Sequence, residues 1–573
     1  MLIDIMKTFA TQYENYGDSL ITDNYILDEG TYVIVNSDGS IDSKNIVEIN
    51  KKNYDSIGVD KFVHLDYLSK LLEMNKPMDK FKTIHSNNYM SFWIKKNNIR
   101  EKLNKTIIED YYAILLNPKL KYEKSSELYQ EIEKEIGQPD EAAIEKYKNW
   151  ILENIFDIVE KHKLKDDKNY LKIYFDEPIE NYIRENKRYV VPNIYNSSDY
   201  NIRIGEGIYG MPNDNIGLNS KKPFLDNKGR KVSTPYLIST DEVILQKKMF
   251  DYLLNFANNG KTNIYVDEKE IEALESGEMI EREFKGYFIK IKKGKEVEIH
   301  DFDTITHYNP KLKNFLVNKI ISSNLDKQDG DKGNLSYGSV SDIKTLSSYI
   351  NSVFFNKFLT ANYFTEPKKI KLRDNLLKEE LLLCRNAYFN WFYKGDLKSI
   401  RSIFPKSSLK IIKNTISNGF LIKAIEQFNL RDSILKYLGG ETYMEQRIDK
   451  IVEELRNKIN GDEICGIGCD DEYYFAMGQA AQFLISKNKA AGIKQSLINP
   501  IISSADDKVL RNRIKALYKK YNYDIDLKSK RFNNLYSMVL RYEAEKGIND
   551  DMLIAGFITS NLIYEKKEKQ EGK

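Results

Sequence analysis

The spacing of apolar residues changes once along this chain, and that change limits the folds open to it. Up to about residue 320, short alternating runs sit between helical patterns. KNYLKIYFDEP, NKRYVVPNIY and the two β-rich runs around the Asp-Glu-Gly turn of ITDNYILDEGTYVIVNSDGS read as strands. GYFIKIKKGKEVEIHDF alternates in period two about Gly294 and reads as a hairpin, whereas residues 138–162 and 241–256 carry helical spacing. Residues 322–340, SSNLDKQDGDKGNLSYGSV, have little to bury and read as a linker. Beyond them nearly every segment is helical, with interruptions expected at Pro367 and Pro405. The expected fold is an α+β N-terminal region over 1–321, followed by an all-α part: a helical region at 341–440 and a helical bundle at 441–573.

In that bundle Met444, Ile448, Ile451, Val452, Leu455 and Ile459 fall on one helical face. A second helix, from Tyr473 to Lys487, carries Gly478, Ala480 and Ala481, small residues that let neighbouring helices come close. A third begins near Ser504, with Asp506 and Asp507 complementing the helix dipole, and two more follow around 531–543 and 550–564. On the third, Lys508, Arg511, Lys515 and Lys519 recur at i, i+3, i+7 and i+11, inside a stretch from Lys508 to Arg531 that holds nine basic and two acidic residues. Such a stripe suits a phosphate backbone, and equally a solvated face.

The balance of 88 basic against 85 acidic residues leaves a net charge of +3, which excludes a globally basic nucleic-acid binder. Contact with nucleic acid then has to come from local patches. Three cysteines, Cys384, Cys465 and Cys469, build no disulfide framework, and no apolar run reaches the length of a membrane span. The N-terminal MLIDIMKTFATQYENY has Asp4 and helical spacing where a signal peptide would have a basic region and an apolar core, so a cytoplasmic protein without a membrane partner is expected.

Catalytic patterns are weak. His300, Asp301, Asp303 and His307 lie close together, but continued alternation sets His300 beside Phe302 and Asp301 beside Asp303, leaving neither face enough metal ligands. Cys465 and Cys469 lack a His or a second Cys pair. The chain has no GxxxxGK[ST] loop, GxSxG elbow or HExxH, and the GxGxxG of Gly205, Gly207 and Gly210 opens into a Pro- and Asn-rich loop instead of a helix. No catalytic residue, metal or cofactor is assigned. Tyr89, Phe92 and Trp93, beside Asn87, Asn88, Lys95 and Lys96, could stack on bases or pack inside their own domain.

Residues 205–236, GEGIYGMPNDNIGLNSKKPFLDNKGRKVSTPY, crowd amides, glycines and cations where a core would want apolar groups. Asn213, Asn215 and Asn219 carry amides able to donate and accept against a base edge; Lys221, Lys222, Lys228, Arg230 and Lys231 suit phosphate. A long polar loop between strands has the same composition. The hairpin about Gly294 adds a basic tip of Lys290, Lys292, Lys293 and Lys295.

YGMPNDNIGLNSKKPF, followed by RKVSTPYLI, resembles the large subunit of the type I-B CRISPR Cascade, an RNA-guided surveillance complex. LDYLSKLLEMNKP with IHSNNYMSFWIKK, and YYFAMGQAAQFLISKNKA with IKALYKKYN and RFNNLYSMV, resemble the same family in the same order. The resemblance implies a non-catalytic subunit that reads the protospacer-adjacent motif, stabilises the R-loop and helps recruit the helicase-nuclease. Its implied partners are the crRNA-bound backbone subunits, the subunit at the crRNA 5′ handle, the target duplex and the displaced strand. It points to Asn213, Asn215, Asn219, Lys221 and Lys222 as motif-reading residues, with Lys292, Lys293, Lys295, Lys508, Arg511, Lys515 and Lys519 on DNA backbone. It also implies a small-subunit-like C-terminal bundle. Gly439-Gly440-Glu441 can be encoded by a purine run a few nucleotides before Met444, so residues 444–573 are a candidate for separate internal translation. The competing readings are a metal-dependent nuclease using His300, Asp301 and His307, and a purely architectural subunit.

Overall fold

The computed structural model describes residues 2–50, 59–165, 167–213, 237–294, 296–322, 335–440, 444–463, 465–489, 497–526 and 529–565. Its contacts divide the chain into two compact units, one of Met1–Ser276 with Gly286–Thr304, the other of Gly277–Lys285 with Ile305–Lys573. Sheets and helices alternate irregularly in the N-terminal part, and helices follow one another from Asn375 to Ile558, the expected fold class.

The first unit is built on a four-stranded sheet of β1 (Gly30–Val35), β2 (Ile46–Ile49), β3 (Ser91–Lys95) and β4 (Tyr170–Phe175), in the order β2-β1-β4-β3. Its central strands, β1 and β4, run parallel in register from Gly30↔Tyr170 to Val35↔Phe175, and both outer strands pair antiparallel. All six residues of β1 are buried, as continuous apolar runs in a sheet covered on both faces require. A small sheet of β5 (Ile202–Ile204), β6 (Gly207–Gly210) and β7 (Ile238–Ser239) follows, then β8 (Lys261–Val266), β9 (Ile271–Glu275), β10 (Phe284–Lys293) and β11 (Val297–Tyr308) in the order β11-β10-β8-β9. The hairpin about Gly294 is therefore present, and β4 and β1 stand where KNYLKIYFDEP and the second run of ITDNYILDEGTYVIVNSDGS placed them.

Two strand expectations give way. NKRYVVPNIY is the end of a helix, Ile179–Val190, and a short turn, Val191–Asn193. Tyr182, Glu185 and Tyr189 recur at helical spacing on its buried face, and that burial outweighs the β propensity of Val190 and Val191. The run before the Asp-Glu-Gly turn begins in a single helical turn, Ser19–Thr22, where Asn255 Nδ2 donates to the Ile21 carbonyl at 2.8 Å.

In the second unit β12 (Lys311–Val317) pairs antiparallel with β13 (Gly338–Asp342). The expected linker of 322–340 thus ends in a strand. Leu335 is already buried, its N–H donating to Glu426 at 3.3 Å, while residues 323–334 lie outside the described ones. The helices Asn375–Lys394, Lys398–Ser417 and Leu421–Tyr437 pack in sequence. Pro405 sits inside the second without ending it, since Ile400, Phe404, Ile411 and Ile412 hold that helix by burial on both sides of the ring.

The C-terminal helices are Met444–Asn460, Asp470–Ser486, Asp507–Tyr521, Lys530–Arg541 and Asp550–Ile558. Ile448, Ile451, Leu455 and Ile459 form the expected buried face, and Asp506 caps the third helix by accepting from Val509 N–H at 2.8 Å. These helices share one unit with the 341–440 region. Lys413 meets Asp550 at 2.8 Å and Arg431 meets Asp551 at 2.8 Å. Residues 441–443, the approach to Met444, lie outside the described residues.

The helices Asp470–Ser486 and Asp550–Ile558 approach closely, crossing at two glycines. A Cβ on Gly556 would stand 2.0 Å from the Phe475 carbonyl oxygen, and one on Gly478 would stand 2.3 Å from that of Leu553. Both obstacles are backbone, so the helices would have to separate. Gly556→Ala is expected to destabilise the unit by about 3 kcal/mol, while Gly547→Ala, which meets nothing within 4 Å, shifts stability by less than about 0.5 kcal/mol. Thermal unfolding of the two variants checks this, and equal midpoints would contradict the crossing.

Candidate nucleic-acid interface

The described residues at the two ends of the segment singled out by composition meet at a braced point of the first unit. The segment's early glycines make a hairpin: Gly205, at φ +62°, turns β5 into β6, with Ile204 opposite Gly207. Gly210 is a close approach, because a Cβ there would lie 2.6 Å from the Tyr195 ring. Tyr195 fastens both sides, its hydroxyl lying 2.9 Å from the carbonyls of Ile208 on β6 and Ile238 on β7. Burial pushes that hydroxyl's pKa up to about 12, so it stays a donor at neutral pH. Since Gly210 pairs with Ile238, the described residues before 214 and after 236 stand side by side.

Asn213 belongs to this base. It is 2 % exposed; its N–H donates to the Ile194 carbonyl at 2.7 Å and its Nδ2 to that of Asn193 at 3.4 Å. Its amide is spent within the fold and does not stand open to a base edge. Asn215, Asn219, Lys221 and Lys222 lie outside the described residues, as do Lys228, Arg230 and Lys231.

The hairpin of β10 and β11 divides its lysines. Lys290 is inside, 5 % exposed, donating to Thr262 Oγ1 at 2.9 Å, Asn263 Oδ1 at 2.6 Å and Ser276 Oγ at 3.0 Å. Burial pushes its pKa down to about 8, while the three oxygen acceptors favour the ammonium. Alternation placed it at the tip; its inward register along β10 puts it in the core. Lys292 is exposed and pairs with Glu298 at 3.1 Å, Lys293 is exposed, and Lys295 lies outside the described residues.

The cationic helix Asp507–Tyr521 keeps three of its four stripe residues outward. Lys508, Lys515 and Lys519 are exposed, and no described acid pairs with them. Arg511 turns inward. Its Nε meets Asp507 at 2.7 Å, its guanidinium lies 5.3 Å from the Tyr473 ring centre, and Nη2 donates to the Tyr542 carbonyl. The role assigned to it on DNA backbone is thus displaced by packing inside its own unit.

The aromatic group upstream is core as well: Tyr89, Phe92 and Trp93 are buried, with Phe92 edge-on to Tyr111. Asn87 and Asn88 are buried too. Asn87 Nδ2 donates to the carbonyls of Leu68 and Lys70 at 2.9 and 2.8 Å, and Lys96 is buried against Asp167 at 3.3 Å. His300, Asp301, Asp303 and His307 all lie on β11, where His300 is 3.7 Å from Glu298. Among the described residues no group of three or more His, Cys, Asp or Glu is arranged to hold a metal ion. Cys384 is buried with its Sγ 3.0 Å from Ser407 Oγ, and Cys465 and Cys469 are exposed. No helix is long and apolar enough to cross a membrane among the described residues.

No protein-family model, curated protein or solved structure matches the chain.

What the geometry assembles is a braced loop base in the first unit and an outward lysine row in the second. The stripe separates a structural cation from exposed ones. Arg511→Ala is expected to cost about 2 kcal/mol of stability by removing charged hydrogen bonds, and Lys515→Ala to leave the unfolding midpoint within about 0.5 kcal/mol of wild type. Chemical denaturation of the two variants checks the division.

Proposed function

We propose that this chain is the non-catalytic large subunit of a type I-B CRISPR RNA-guided DNA surveillance complex. It reads the protospacer-adjacent motif, stabilises the R-loop and helps recruit the helicase-nuclease. The observation that supports the reading is the 205–236 segment: its sequence resembles the family, and the described residues at its two ends meet where Tyr195 clamps β6 to β7. Recognition of a few flanking base pairs needs side chains presented from a rigid support, because a loose reader loses the bidentate geometry that separates one base from another.

The division of labour follows from chemistry. Guide pairing reads the long target, so protein contacts to bases can be few. Asn215 and Asn219 supply amides suited to adenine in the major groove; Lys221 and Lys222 neutralise phosphate. Asn213 is bonded to Ile194 and Asn193 and belongs to the support. Lys508, Lys515 and Lys519, in a row along one helix, suit the phosphates of a displaced strand, and Lys292 and Lys293 those of the duplex.

The test is binding of a guide-loaded complex, reconstituted with this chain, to duplexes carrying correct or scrambled flanking motifs. Asn215→Ala or Asn219→Ala is expected to reduce discrimination about tenfold, the loss of roughly one good base contact, with assembly intact. Asn213→Ala acts instead through stability. Unchanged discrimination in both outer variants, together with weakened assembly, would favour an architectural subunit.

A further inference from the structure

The helix Asp507–Tyr521 carries an aromatic ring beside its lysine row. Tyr518 follows Lys515 at i+3, one turn along, so the two side chains are neighbours on the helix surface. The Tyr518 ring stacks on Tyr536 of the helix Lys530–Arg541, centre to centre 4.5 Å with 24° between planes, and lies 6.1 Å from Phe532 at 20°. Phe532 and Tyr536 are themselves 5.6 Å apart at 15°. Two turns before Tyr518, Arg511 ties the same helices together by donating to the Leu540 carbonyl at 3.4 Å. Between the helices runs a groove floored by near-parallel rings, with Lys515 on its bank and Lys508 and Lys519 on the outer face beyond.

Packing accounts for only part of this arrangement. Phe532 is wholly buried, but Tyr518 and Tyr536 are half-buried. Their hydroxyls bond to no described residue and are not enclosed, so both rings open on solvent. The series of rings also continues outward on the other side. Phe532 stacks on Phe483 at 4.6 Å, and Phe483 lies 5.2 Å from Tyr564, a ring that is 54 % exposed and held in place by a 2.8 Å hydrogen bond between its hydroxyl and Ser486. Lys487 stands there, 4.7 Å from the Phe483 centre and 5.5 Å from that of Tyr564. Each end of the series thus presents an accessible tyrosine beside a lysine.

Charge and rings together select the ligand. Lys508, Lys515 and Lys519 have no described acid partner, and like charges in a row favour an anion of many charges. An acidic peptide would answer the lysines and leave the rings unused. Duplex nucleic acid offers phosphates but keeps its base faces stacked inside, whereas a single strand offers both phosphates and free base faces. We propose that this groove binds single-stranded nucleic acid: Tyr518, backed by Tyr536, stacks on a base, Lys515 and Lys519 take the flanking phosphates, and Tyr564 with Lys487 forms a second such pair. The proposal rests on the reading of the lysine row as a strand holder, and adds that the row selects an unpaired strand through its bases.

Titration of the full chain with oligo-dT and with an abasic strand of the same length and charge, followed by fluorescence anisotropy, tests it. Oligo-dT is expected to bind at least about tenfold more tightly than the abasic strand, since stacking is lost without bases. Tyr518→Leu is expected to weaken oligo-dT binding about tenfold and leave the abasic strand unaffected, while Tyr518→Phe, which keeps the ring, binds as wild type does. Lys515→Ala is expected to weaken both strands alike. Tyr564→Leu, at an exposed ring, is expected to show the same loss confined to oligo-dT, and keeps the test open if Tyr518→Leu fails to fold. Equal binding of the two strands, or undiminished oligo-dT binding by whichever leucine variant folds, would overturn base stacking and leave the lysine row as a phosphate contact. No binding of either strand would overturn both the stacking and the strand-holding role, and leave this face to a protein partner.

Discussion

A lysine in the middle of an apolar strand is the constraint around which the first unit is arranged. Lys172 lies on β4 between Leu171 and Ile173, 2 % exposed, and its ammonium would be prohibitive there without a partner. Asp66, 1 % exposed on the helix Asp60–Ser69, stands 2.6 Å away. The carboxylate also accepts from Tyr174 at 2.8 Å and Tyr25 at 2.7 Å, and the ammonium lies 4.0 Å from the Trp93 ring centre. Burial first, and the Asp66 charge beside it, hold both tyrosines well above their ordinary pKa, keeping them donors. Loss of either charge would strand the other at a cost of about 3–5 kcal/mol. Such a pair adds little stability over an apolar alternative, and it ties that helix to the sheet at one point, Asp66 against Lys172 and Tyr174.

From that docking a continuous set of hydrogen bonds leads to the loop base. Leu68, two residues past Asp66, accepts from Asn186 Nδ2 at 2.6 Å, tying the first helix to Ile179–Val190. The Tyr189 hydroxyl then joins Leu72 N–H at 3.0 Å to the Lys76 carbonyl at 2.9 Å. Lys76 in turn donates to the carbonyls of Asn193 and Tyr195, at 2.8 and 2.9 Å, and Tyr195 clamps β6 to β7. The described residues on either side of 214–236 are thus tied by these hydrogen bonds to the sheet and helices of their unit. The proposed role asks for such a support, because fixed placement of a side chain is what gives discrimination between bases.

Where local pattern decided the structure, it was legible. The apolar face from Ile448 to Ile459, the Asp506 cap and the turn at Gly294 all depend on neighbours within one element or one turn. The failures share a different cause. Arg511 and Lys290 look like surface cations because their partners, Tyr473 and Tyr542 for one and Asn263 and Ser276 for the other, are remote in sequence. Asn213 reads as a loop amide until β6 and the 194–196 turn come together. The Ile179–Val190 helix was hidden by β-branched residues whose propensity is weaker than the burial of Tyr182 and Tyr189. Only a lysine inside YLKIYF hinted at Asp66, and it did not say which acid would answer.

In the second unit the Asp470–Ser486 and Asp550–Ile558 helices pack through small residues, and the outer face of Asp507–Tyr521 carries Lys508, Lys515 and Lys519. Charge presented in a row serves a polyanion of regular spacing, so the proposed role assigns base reading to one unit and strand holding to the other. The central claim is that this chain is what lets a guide-loaded complex engage duplex DNA. Its most direct test is binding of a matched target duplex, with its flanking motif, by the complex reconstituted with and without this chain. The account predicts that omission abolishes duplex binding while guide RNA stays bound to the remaining subunits. Equal binding of the duplex in both preparations would contradict it.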